Sequence, residues 1–117
     1  MNKMIIGVDF DGTCVENMFP YVGKSIGAEH VLKQLSRHHK LILYTVRDGV
    51  YLAEAIKWFN DNGISLYSAN FNPNPVSSSQ KLYCDYYIDD RNIGTPIVNG
   101  HVDWEKMEVI LKSMKLI

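Results

Sequence analysis

The sequence predicts a single α/β domain spanning 1–117, a doubly wound Rossmann-like fold with a mainly parallel sheet and helices on both faces. Two observations carry this. Short, nearly continuous apolar runs at 4–10, 41–45 and 86–89 read as strands buried on both faces of a parallel sheet. Between and after them, apolar residues recur at helical spacing, and alternating strands and helices require crossover connections that bury both kinds of apolar face. A chain of 117 residues also has the length of one domain able to build its own core.

The first strand is Met-Ile-Ile-Gly-Val-Asp-Phe at 4–10, and the first helix is marked by Ala28, Val31, Leu32 and Leu35 on one face. Leu-Ile-Leu-Tyr-Thr at 41–45 gives the second strand. The second helix shows Leu52, Ala55, Ile56 and Phe59, and Asn62-Gly63 supplies its stop. A weaker strand is expected at 65–68. Residues 70–80, with Asn72-Pro73-Asn74-Pro75 and three serines, read as a surface loop. Tyr-Tyr-Ile-Asp at 86–89 is a strand and 96–98 a weaker one. Asp103 is placed to N-cap a last helix whose stripe is Trp104, Met107, Ile110, Leu111 and Met114.

Composition excludes several classes of function. With 12 basic and 13 acidic residues, a formal charge of -1 provides no field for gripping a phosphate backbone or an anionic lipid surface, so nucleic acid is not indicated as a partner. Cys14 and Cys84 form no close-spaced motif and read as reduced thiols of a cytoplasmic protein. Asp9 interrupts the leading apolar run too early for a signal peptide, and no run approaches the roughly 20 residues of a membrane span, so no membrane partner is expected. His38 and His39 are neighbours, which on a helix diverge by about 100 degrees and make a poor metal pair.

Ligands of open parallel sheets bind outside the carboxyl ends of the strands. The residues brought there are Asp9, Thr45 and Asp89. Around the first, Val8-Asp9-Phe10-Asp11-Gly12-Thr13 sets two carboxylates where the chain enters a glycine turn; around the last, Ile88-Asp89-Asp90-Arg91 adds two more. Up to four acids in a nearly neutral chain repel one another, and a hard divalent cation with oxygen ligands is the simplest remedy, magnesium the default.

Asp9-Phe10-Asp11-Gly12-Thr13 resembles the D-x-D-G-T signature of the haloacid dehalogenase superfamily of aspartyl-phosphate enzymes. Thr45 after an apolar strand resembles that family's second motif, Lys81 is placed like the lysine of its third, and Asp89-Asp90 resembles its acidic fourth. The resemblance covers Asp9 to Asp90 and implies a phosphoric monoester hydrolase. Asp9 would be the nucleophile and Asp11 the acid that protonates the leaving oxygen, then the base that activates water. Magnesium would be held by the Asp9 carboxylate, the backbone carbonyl of Asp11 and the Asp89 carboxylate, with Asp90 a further ligand or water holder. Thr45 and Lys81 would bind phosphoryl oxygens, and Arg47 would either add a forked phosphate contact or lie on the surface, with Arg91 open to the same two readings.

A phospho-acceptor domain of the response-regulator receiver type is the main rival. There the acidic pair follows the first strand and the acceptor follows a middle strand, the reverse of the order here. An inactive metal- or phosphate-binding module on the same fold is the other alternative. The superfamily's lid domains have no room: 14 residues separate Thr13 from Ala28 and 33 separate Arg47 from Lys81, against the roughly 50 a separate lid needs. The expected site is therefore open, covered by the flap after Thr13, the 70–80 loop, a second subunit of a homo-oligomer, or a large phosphorylated substrate.

Overall fold

Residues 3–117 are described in the structure, a computed structural model. In chain order the elements are β1 (Ile5–Val8), α1 (Ala28–His38), β2 (Lys40–Leu43), α2 (Gly49–Asp61), β3 (Ser68–Ala69), β4 (Tyr86–Ile88), β5 (Ile97–Val98), β6 (His101–Val102) and α3 (Trp104–Ser113). The first four strands form one parallel sheet in the order β3-β2-β1-β4, with Val8 opposite Leu43 on one side and Ile88 on the other. No helix among the described residues is long and apolar enough to cross a membrane.

Strand alternation sorts the core into two faces. Ile6, Val8, Leu41, Leu43 and Ile88 point to one, where they meet Val31, Leu32 and Leu35 of α1, Ala55 and Phe59 of α2, and Met107 and Leu111 of α3. Ile42 points to the other, where Leu82 and Cys84 cover it and Ile5, Tyr67 and Tyr87 flank it. The chain thus steps outward from β1 to β3 through helices and returns across the opposite face to β4. The doubly wound parallel sheet is the predicted one, but the second face is covered by the segment before β4 instead of a helix. That segment carries Asn72-Pro73-Asn74-Pro75, and proline prevents a helix from continuing through it. Gly7 makes the close cover possible, since a Cβ there would lie 2.9 Å from Cys84 Sγ.

The expected helix signals hold. Asp103 accepts a hydrogen bond from the Lys106 N–H at 3.2 Å and caps α3. Gly63, at φ 68°, ends α2 while the Ile64 N–H bonds back to the Phe59 carbonyl. The weak strands differ more. Only Ser68 and Ala69 pair with β2, and 97–98 leaves the main sheet to form a hairpin with β6. Asn99 and Gly100 both have positive φ, 52° and 82°, the conformation that favours Asn-Gly in two-residue hairpin turns.

His39 spends both ring nitrogens inside the fold. Its Nδ1 accepts from the Met4 N–H at 3.0 Å, so Nε2 carries the proton and donates to the Leu116 carbonyl at 2.9 Å. The ring ties the chain ahead of β1 to the segment after α3.

Candidate active site

β1, β2 and β4 end side by side, with Asp9 N–H bonded to Ile88 O and Tyr44 N–H to Val8 O. Three carboxylates converge there: one oxygen from each of Asp9, Asp89 and Asp90 lies within 4.8 Å of the others. Asp89-Asp90 comes alongside Asp9 because β4 pairs directly with β1.

Thr13 holds the cluster together. Its hydroxyl contacts Asp9 Oδ2 at 3.0 Å and Asp90 Oδ1 at 3.2 Å, and accepts from the Asp90 N–H at 3.0 Å. Gly12, at φ 81°, turns the chain between the acids. A Cβ at Gly12 would lie 2.8 Å from Asp90 Cγ, so the missing side chain is what lets Asp90 approach. From behind, the hairpin and α3 brace this turn: Val102 N–H bonds Gly12 O at 3.0 Å, and Trp104 Nε1 bonds Thr13 O at 2.7 Å.

Crowding marks the electrostatics. Burial, the hydrogen bond shared with Asp90 and the charge of Asp89 together push the Asp9 carboxyl from its ordinary 3.8 up to about 8. Asp89 is raised as well, chiefly by burial, with Asp90 adding to it and the Arg91 N–H on Asp89 Oδ1 opposing. Acids driven toward their neutral form by burial, and further by one another, suit a divalent cation, which would hold them ionised. The donor set, all oxygen, is of the kind that hard divalent cations take.

Asp11 stands apart from this cluster. Arg47 grips it through both oxygens, Nε to Oδ2 and Nη2 to Oδ1, each at 2.8 Å. The remaining guanidinium protons go to the carbonyls of Pro20, Tyr51 and Tyr21 at 3.1, 3.2 and 2.9 Å. All five donors are used, and the side chain is fully buried between the rings of Phe10 and Phe19. The expectation that Arg47 binds a substrate phosphate, or else lies on the surface, is therefore corrected: it has no N–H left for a ligand, and it is interior. Its partners come from three separate segments, which no local pattern announces.

An open cavity of about 470 Å³ contains the site, lined by Asp9, Asp11, Asn17, Phe19, Val46, Asp89 and Arg91. Asn17 and Phe19 belong to the flap, pinned at its base by the Val15–Ser25 bridge and the Glu16 N–H to Lys24 O bond. Thr45 sits at the end of β2, its N–H bonded to Asn70 Oδ1 and its hydroxyl accepting from the Arg47 N–H. Lys81 is not brought into this cavity. It lines a neighbouring one with Tyr44 and the 70–83 segment, and its ammonium lies 5.7 Å from the Tyr87 ring centroid. Cys14 is buried, its thiol on the Asp9 carbonyl, and burial beside Asp9 raises it well above the ordinary thiol range.

Sequence reasoning passed over Thr13, although it stands inside the quoted D-x-D-G-T motif, and over Asn17, Phe19 and Val46, which carry no chemical signature of their own.

The chain is 42% identical to a conserved protein from Bacteroides thetaiotaomicron of solved structure, with a TM-score of 0.82 over 97% of this chain and 93% of that one. No protein-family model matches the chain, and neither does any curated protein.

Proposed function

This chain belongs to one family with the conserved Bacteroides thetaiotaomicron protein, and from the residues of its own site we propose that it is a magnesium-dependent phosphohydrolase acting through an aspartyl phosphate on Asp9. The observation that carries this reading is the division of labour among the acids. Asp9, Asp89 and Asp90 share one cluster, while Asp11 lines the same cavity but is held out of the cluster by Arg47.

In the first step an Asp9 oxygen attacks phosphorus, the bond to the leaving oxygen breaks, and Asp11 gives that oxygen a proton. In the second, water attacks phosphorus, Asp11 takes back a proton, and Asp9 is released with inorganic phosphate. Arg47 fixes the Asp11 carboxylate while leaving each oxygen a further lone pair, so the proton can come and go without the pair opening. Asp9, Asp89 and Asp90 would hold the magnesium ion together with the Asp11 backbone carbonyl. When bound it would supply positive charge at the phosphoryl oxygens, the dominant need of a loose transition state. For phosphoryl contacts from the protein, Arg91 lines the cavity, whereas Thr45 is not among its lining residues and Lys81 lines another cavity.

The test is phosphate release from a panel of phosphomonoesters with and without magnesium, against Asp9→Asn. Turnover that needs both magnesium and Asp9 supports the reading. A lasting acyl phosphate on Asp9 without release would favour a phospho-acceptor domain, and release undiminished in Asp9→Asn would exclude this nucleophile.

A further inference from the structure

The cavity lining is of two unlike kinds. Asp9, Asp11, Asp89 and Arg91 are charged, and the Arg91 backbone N–H bonds Asp89 Oδ1. Phe19 and Val46 are apolar. Phe19 is half exposed, its ring centroid 5.3 Å from the Arg47 guanidinium and 6.1 Å from the Tyr51 ring; Val46 is almost wholly exposed. The Arg47 guanidinium that pairs with the Asp11 carboxylate also lies over the Phe19 ring, so Phe19 and Asp11, both lining the cavity, share one neighbour.

We infer that this apolar part of the lining is a specificity subsite, and that the substrate is a phosphomonoester whose alcohol carries an uncharged planar ring resting on Phe19. The inference depends on the proposed chemistry in one respect, that Asp11 protonates the leaving oxygen. The leaving group then lies on the Asp11 side, opposite Asp9, and its next atoms meet Phe19 and Val46. A ring is favoured there because aromatic pairs add attraction beyond the area they bury, and Phe19, backed by Arg47 and Tyr51, is already held in place. Charge excludes the main competitor. A carboxylate or second phosphate on the alcohol would enter a cavity lined by three acids against one cation, Arg91, and the cation that lies over Phe19, Arg47, has spent all five donors.

The experiment compares kcat/KM for benzyl phosphate, ethyl phosphate and phosphoglycolate with magnesium present. Benzyl and ethyl esters have leaving oxygens of similar basicity, so their ratio reports the ring and not the chemistry. The expected result is a benzyl preference of about tenfold over ethyl, with phosphoglycolate poorest. That preference should shrink toward unity in Phe19→Ala and be partly kept in Phe19→Leu, each shown to be folded by its thermal midpoint. Equal benzyl and ethyl rates, or a preference untouched by Phe19→Ala, overturns the inference. Should no ester be hydrolysed, the hydrolase reading fails separately. The subsite is then decided by calorimetric titration of the magnesium-loaded protein with benzylphosphonate and ethylphosphonate: tighter benzyl binding lost in Phe19→Ala upholds it, and equal binding overturns it.

Discussion

Arg47 and Asp11 form a two-pronged ion pair at 2.8 Å on both contacts, and the arginine end of it has no exposure to solvent. The pair couples four places in the chain: the first acidic motif, the flap carbonyls of Pro20 and Tyr21, the turn after β2, and the first turn of α2 at Tyr51. A lysine offers three donors on a point charge and cannot meet five acceptors set out for a planar fork. Arg47→Ala should cost about 3–5 kcal/mol, because it leaves a partly buried carboxylate and three carbonyls without partners. Arg47→Lys should stay folded and bind magnesium but lose most of its turnover. Urea titration reads the first effect and steady-state kinetics the second; an Arg47→Lys protein with full kcat would remove Arg47 from the positioning of Asp11.

Gly12→Ala should damage the metal site more than the fold. The position combines φ 81° with contact against the Asp90 carboxylate, so a methyl group both strains the backbone and pushes Asp90 from its place beside Asp9. Strain of this kind costs on the order of 1–3 kcal/mol. Magnesium affinity, measured by calorimetry, should fall at least tenfold. Unchanged affinity would mean that Asp90 is no part of the site.

The acids of this site were legible because strand ends converge in a parallel sheet whatever the details of packing. Asp9 and Asp89-Asp90 needed only that rule and the apolar runs before them. Arg47 was not legible: a cation two residues after a strand-terminal threonine looks like an anion binder, and only the folded flap and α2 reveal that its donors are consumed. Lys81 lines a different cavity for a related reason, since chain order fixes its place in a motif series but not the path of the segment before β4. That same path replaced the expected second layer of helix, and Pro73 and Pro75 were a signal for it. Asn99-Gly100 was also a readable signal, for the β5–β6 hairpin that braces the site.

Without a divalent cation, stability should fall as pH rises from about 4 to about 8. Asp9 loses its proton near 3.8 in the unfolded chain but only near 8 in the fold. Across that interval the native state holds more protons than the unfolded one, and the linkage relation then makes unfolding easier with each step upward in pH. Asp89, raised in the same direction, adds to the slope. Magnesium should flatten or reverse it by favouring the ionised cluster, and Asp9→Asn should flatten it with no metal. Thermal midpoints with chelator, in buffers from pH 5 to pH 9, would show this; a chelated wild type that grows more stable toward pH 8 would contradict the crowding of these acids.

Neither cysteine should react with thiol reagents while the protein is folded. Burial, then the charges of Asp9, Glu29 and Asp11, raise Cys14 well above the ordinary range; burial and the Asp85 carboxylate push Cys84 up to about 11. Both are almost free of solvent contact. A disulfide-exchange reagent at pH 8 should therefore label them at the rate of unfolding or local opening, and both should react at once in denaturant. Prompt labelling of Cys14 in the native protein would show that the loop over Asp9 opens, contrary to its bracing by Val102 and Trp104.

The sharpest test of the division of labour sets Asp11→Asn beside Asp89→Ala. Asp11 lies outside the three-carboxylate cluster, and its side chain is engaged by Arg47, so an amide there removes the proton carrier without removing a metal ligand. Its carbonyl oxygen can still accept one of the Arg47 donors, while its NH2 faces another and repels it, so a modest loss of stability of about 1–3 kcal/mol is expected. Asp89→Ala deletes a member of the cluster itself, and relieves the repulsion on Asp9 as it does so. Turnover should collapse in both variants, by about 10²-fold or more where general acid–base help is lost. Magnesium titration should separate them: binding kept in Asp11→Asn and largely abolished in Asp89→Ala. Were the two to lose metal equally, Asp11 would be a side-chain ligand and the proton would have to travel by another route.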